Sequence, residues 1–137
     1  MNSKNIILKD AYYGDSNTAL NFKFKNINSD DEDRIFYFDV SATYEDQKIY
    51  SELAIFESEI EDLRNFEYEY PITEIYFIEP DLHLTIIDFD LEELCIYVDF
   101  DSGLRHSNMG TESGLSLKLK VTKEDFNQFL KNLTSIN

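Results

Sequence analysis

The sequence predicts an α+β fold: a mostly antiparallel β-sheet of about seven or eight strands, sandwiched or strongly curved, with one short middle helix and one C-terminal amphipathic helix. Three observations carry this. Apolar and polar residues alternate through most of the chain, the period that puts every second side chain on one face of a strand. The aromatic residues make up 15% and are all Phe and Tyr, which suit a pleated surface. Helical spacing shows in two separate places and never as strand–helix–strand units.

The first strand pair spans Ile6 to Tyr13 and Leu20 to Ile27, with Leu20, Phe22 and Phe24 on one face. Between them, Gly14-Asp15-Ser16-Asn17 has turn composition, because Asp, Ser and Asn bond their own backbone and glycine tolerates positive φ. Ser29 to Asp33, SDDED, is a solvated loop. In IFYFDVSATY, Phe36, Phe38, Val40, Ala42 and Tyr44 face one way, with Tyr37, Asp39 and Ser41 opposite. Glu45-Asp46-Gln47-Lys48 makes a polar hairpin tip, and Ile49 to Phe56 returns as the partner strand.

At Phe56 the period changes. Ser58 and Glu61 match a capping box, in which a serine and a glutamate three residues later satisfy the free amides of a helix start. The helix is expected from Ser58 to Tyr68, with Ile60, Leu63 and Phe66 on its apolar face. It is rich in acids: Glu59, Glu61, Asp62 and Glu67, with Glu69 just beyond. Acids in the first turn complement the helix dipole.

Pro71 marks the next boundary, since it lacks an amide hydrogen and restricts the residue before it. Strands follow at Glu74 to Ile78, Leu82 to Phe89 and Leu94 to Phe100; in the last, Leu94, Ile96 and Val98 alternate with Cys95, Tyr97 and Asp99. Ser102 to Ser113 holds two of the four glycines and reads as a loop. Leu115, Leu117, Leu119 and Val121 form the last strand. Thr122 caps the second helix, with Asp125 at the box position, and Phe126, Phe129, Leu130 and Leu133 form its apolar stripe.

A chain of 137 residues is expected to form one domain, residues 1–137, large enough for a core without disulfide or metal staples. Apolar residues at 42% mark it as globular. No apolar run approaches the roughly 18–20 residues that cross a bilayer, and MNSKNIILKD lacks a signal-peptide cleavage site. A lone cysteine, Cys95, forms no internal disulfide, so a cytoplasmic location is expected. Charge is the unusual quantity: 12 Lys and Arg against 28 Asp and Glu give −16. Such a surface repels nucleic acid and anionic membranes and attracts basic proteins, at rates that fall as salt rises.

The most suggestive cluster is Glu79, Asp81 and His83 in YFIEPDLHL, spaced two apart as on one face of a strand. Pro80 interrupts that strand between the first two, so the stretch reads as a bend. Asp99-Phe100-Asp101-Ser102-Gly103 fails the EF-hand register: started at Asp99 it places Leu104 where glycine belongs and Gly110 where the glutamate belongs. Nothing near Cys95 in the sequence would activate a thiol. No phosphate-cradling glycine loop and no basic aromatic patch occurs. No catalytic residue, metal or cofactor is assigned.

An aromatic strand and its partner run into a short acidic helix (Phe36 to Tyr68); a strand closes on Phe77-Ile78-Glu79-Pro80 and continues as Asp81-Leu82-His83-Leu84; a final strand feeds a C-terminal helix, Leu115 to Leu133. In that order, and in the phenylalanine-x-glutamate-proline-x-leucine signature, the chain resembles the WapI-like group of bacterial immunity proteins. Asp81 and His83 depart from the asparagine and small polar residue expected there, and the strands carry no tryptophan. The resemblance implies a cytoplasmic immunity protein that binds and neutralises a toxin C-terminal domain, a basic partner and nuclease of a polymorphic toxin system. The acids proposed to face that partner are Asp30, Asp31, Glu32, Asp33, Glu59, Glu61 and Asp62. The competing readings are a nucleic-acid mimic that inhibits another DNA- or RNA-binding protein, a small enzyme, and a non-catalytic structural domain whose acids only keep it soluble. Oligomeric state is left open by the sequence, because exposed strand edges can pair.

Overall fold

A computed structural model describes residues 4–12, 14, 17–28, 34–77, 82–88, 92–100 and 116–136. The first sheet has strands β1 (Asn5–Lys9), β2 (Ala19–Asn28), β3 (Ile35–Tyr44) and β4 (Gln47–Phe56), antiparallel and in chain order. Helix α1 (Glu57–Arg64) leads to the second sheet, β5 (Ile72–Tyr76), β6 (Leu82–Asp88), β7 (Glu93–Phe100) and β8 (Ser116–Thr122), also antiparallel and in order. Helix α2 (Lys123–Thr134) closes the chain. The expected α+β architecture is the one observed, with four strands in each of two sheets.

The alternation seen in the sequence is the alternation of burial. Phe22 and Phe24 on β2, Phe36, Phe38 and Val40 on β3, and Leu53 and Ile55 on β4 turn inward, as do Leu84 and Ile86, Ile96 and Val98, and Leu117 and Leu119 in the second sheet. All belong to one apolar cluster that also takes Ile60 and Leu63 from α1 and Phe126, Phe129, Leu130 and Leu133 from α2. Phe129 meets Phe22 edge-on, ring centres 5.5 Å apart, so α2 is keyed into the first sheet although it follows the second.

Several boundaries move for identifiable reasons. β1 stops at Lys9, short of Tyr13, because the chain there crosses to the other sheet: Ala11 N–H donates to the Lys120 carbonyl, and Lys120 N–H donates to Asp10 Oδ1 at 2.8 Å. Glu45 adopts φ 52, and its carbonyl accepts from the Asn17 side chain at 3.0 Å. That tight turn lets β4 begin at Gln47, where a longer tip is expected. Lys25 is the extra residue of a bulge in β2 and reaches Asp39 and Glu52 on the neighbouring strands.

The second helix starts as expected, with Thr122 Oγ1 accepting the Asp125 N–H at 3.0 Å. The first does not. β4 runs directly into it, Phe56 occupies the cap position in extended conformation, and Glu59, not Glu61, reaches back to the cap residue's amide. The helix ends at Arg64, not Tyr68. Asn65 caps it by donating its side-chain N–H to the Glu61 carbonyl at 3.1 Å, while Phe66 and Tyr68 leave the helix to pack on each other and on Phe126.

Candidate functional site

The segment joining α1 to β5 builds a cleft. Glu69 and Thr73 lock its floor: Glu69 N–H donates to Thr73 Oγ1 at 2.7 Å, and the threonine hydroxyl donates back to the Glu69 carbonyl at 2.9 Å. Between these two residues lies Pro71, whose carbonyl accepts from Asp88 N–H and so seats β5 beside β6. Tyr68 ties the same segment to α2, its hydroxyl donating to Asn127 Oδ1 at 2.8 Å. Burial, with the Asp88 charge in support, pushes the Tyr68 phenol up to about 12.

The cleft so formed measures about 270 Å³ and is lined by Leu63, Phe66, Ile75 and Phe77 together with five carboxylates, Glu59, Asp62, Glu67, Glu69 and Glu74. No lysine or arginine is among its described lining residues. Elsewhere four described cations pair with acids, three of them Lys25 with Asp39 and Glu52, Arg34 with Glu57, and Lys123 with Asp88. The Arg34 hydrogen bonds hold the Glu57 carboxyl below the usual carboxylate range. Arg64 pairs with Glu61 and also donates to the Thr134 carbonyl at the end of α2, across the second groove, which lies between the two helices.

The acids singled out in the sequence therefore separate. Asp30, Asp31, Glu32 and Asp33 lie outside the described residues. Asp62 is exposed at the cleft wall. Glu61 is engaged with Arg64 and is not among the lining residues. Glu59 is 8% exposed and holds the Phe56 amide at 2.9 Å, so most of its surface is committed to the fold. Glu69 and Glu74 join the cleft through the β5 turn, a proximity that the linear spacing does not announce. Their signal is a short strand set off by Pro71 with Ile72, Glu74 and Tyr76 on its outward face.

His83 sits on the outer face of the second sheet. Glu79 and Asp81 lie outside the described residues; the carboxylates found beside its ring come from neighbouring strands. The register Tyr76↔His83↔Asp99 places Asp99 Oδ2 3.3 Å from Nδ1, and Glu74 Oε1 lies 3.3 Å from Nε2. The second contact is electrostatic in geometry, since Nε2 is buried and has no hydrogen-bond partner. The ring stacks on Tyr76 at 4.1 Å and 10°. Partial burial, the Glu74 charge and a hydroxyl bond to Glu74 together raise the Tyr76 phenol above its usual value. This arrangement stiffens the outer row of β5, β6 and β7. Neither described cleft includes His83 in its lining, and among the described residues no three His, Cys, Asp or Glu side chains converge as metal ligands.

Asp99, which opens the stretch that fails the EF-hand register, is engaged with His83, and Asp88 pairs with Lys123. Cys95 is buried on β7, where the register sets it between Ile87 and Lys120. No described helix is long and apolar enough to cross a membrane. Comparison with protein-family models, curated proteins and solved structures returns no match.

Proposed function

We propose that the protein is an immunity-type inhibitor that binds a cognate toxin domain, a nuclease with a basic substrate groove, through the acidic face formed by α1 and β5. The observation that carries this reading is the cleft: five carboxylates around an apolar floor, with no cation among the described lining residues, on a body of net charge −16. A nuclease must neutralise phosphates with lysine and arginine. Carboxylates held on α1, on the segment that follows it and on β5 occupy the places of those phosphates, and the summed field steers encounter. Speed is the useful property, because damage from a toxin accumulates before equilibrium is reached. The cleft lies below the roughly 300–1,000 Å³ of small-molecule sites and suits protein side chains better than a metabolite. On this reading the protein works in the cytoplasm without cofactor or bond-making chemistry.

The test is co-expression with the C-terminal domain of a large secreted protein encoded directly upstream. Restored growth and a one-to-one complex that survives purification are expected. Unrelieved toxicity, or inhibition only of unrelated DNA-binding proteins, overturns the assignment in favour of a nucleic-acid mimic.

A further inference from the structure

We infer that the outward edge of β5 is a strand-addition site, which takes an extended, lysine- or arginine-bearing segment of the partner as an added strand of the second sheet. This rests on the reading of the protein as an inhibitor of a basic partner and specifies how that partner docks. The phase of the ladder is fixed by Asp88 N–H donating to the Pro71 carbonyl at 2.8 Å. Hydrogen-bonded pairs alternate along an antiparallel ladder, so Thr73 and Ile75 direct their backbone groups to β6 while Ile72, Glu74 and Tyr76 direct theirs away from the sheet. No described residue pairs with those outward amides and carbonyls.

The other sheet edges differ. β8 is covered by Asp10 and Ala11, and β1 lies against α2. β4 carries Lys48, set over the Tyr50 ring, and edge lysines discourage pairing. β5 has no such guard. Its outward side chains are Ile72, 50% exposed, Glu74, and Tyr76, 63% exposed, with Tyr70 81% exposed just before it. A strand laid along β5 would send alternate side chains toward the cleft, where Asp62, Glu67 and Glu69 wait for cations. Charge selects the occupant. A second copy paired antiparallel about Glu74 would set that glutamate opposite itself and bring two bodies of −16 together, both unfavourable.

The probe is a short capped peptide alternating lysine with valine and threonine, titrated into the ¹⁵N-labelled protein and followed by amide shifts and hydrogen exchange. Shifts and slowed exchange are expected at Ile72, Glu74 and Tyr76. Glu74→Pro, which removes an outward N–H that the fold does not use, should weaken binding at least about tenfold, through the loss of one backbone hydrogen bond and the proline ring standing where the added strand's carbonyl would approach. Glu74→Gln should weaken it only about two- to five-fold and keep the pattern. Ile72→Lys, at an exposed site, keeps every backbone group but sets a cation on the edge, and should block a basic strand by charge without proline. Shifts scattered over the acidic surface without protection at these amides, binding unaffected by both blocking variants, or self-association through β5 would overturn the inference. Toxin neutralisation retained by folded Glu74→Pro removes strand addition but leaves the inhibitor reading intact. Peptide capture at β5 with no neutralisation by the wild-type chain does the reverse.

Discussion

Glu59→Ala separates the acids that build the molecule from those that face its partner. Glu59 is 8% exposed and its carboxylate accepts the Phe56 N–H at 2.9 Å, the bond that starts α1. A hydrogen bond to a charged group contributes roughly 1.5–3 kcal/mol, and an acid in the first turn adds about 0.3–1 kcal/mol through the helix dipole. The substitution is therefore expected to cost about 2–3 kcal/mol, a fall in Tm of roughly 5–10 °C at this chain length. Asp62→Ala, at an exposed position, should stay within about 0.5 kcal/mol. Glu61→Ala, which breaks an exposed pair with Arg64, should cost no more than about 1 kcal/mol. Urea unfolding of the three variants, with stabilities compared at constant m, measures the ranking. Equal losses at Glu59 and Asp62, or a loss below about 0.5 kcal/mol at Glu59, would refute the division. Charge reversal of Glu59, Glu61 and Asp62 together would slow association but also unfold α1, so a clean kinetic test uses Asp62, Glu67 and Glu69.

Two further outcomes follow from the packing. Phe129→Ala removes a ring that is 2% exposed and edge-on to Phe22, and should destabilise by about 3–5 kcal/mol in chemical denaturation while loosening α2 from the first sheet. Tyr68 is protonated in the fold up to about 12 against an ordinary 10.0, so its contribution is complete below pH 10 and is lost as pH rises through 12. Thermal unfolding in that window should show an alkaline decline that Tyr68→Phe diminishes.

Much of the fold is legible in the sequence because it rests on local rules. Phe36-x-Phe38-x-Val40 and Leu117-x-Leu119-x-Val121 each present one apolar face, and all six residues are buried. Thr122 is read correctly because a single side chain satisfies the first turn of α2. The capping of α1 is misassigned because Ser58 and Glu61 satisfy the same spacing rule as Phe56 and Glu59; which pair is used depends on where β4 ends, and strand pairing to β3 decides that. The site is less legible still. Asp99 and Glu74 meet His83 only through the registers of three strands. The exposure of β5 follows from its place at the end of the sheet, a property of topology that no residue of ITEIY encodes.

The most direct measurement is the association rate constant with the neutralised toxin domain, followed by stopped-flow across ionic strengths. Charge-steered docking predicts a rate constant of about 10⁸ M⁻¹s⁻¹ or more at low salt that falls steeply as salt is added, with a shallower slope for Asp62→Asn/Glu67→Gln/Glu69→Gln. A rate that stays flat with salt, or an unchanged slope in that triple variant, would contradict the proposal that the acidic face beside β5 captures the partner.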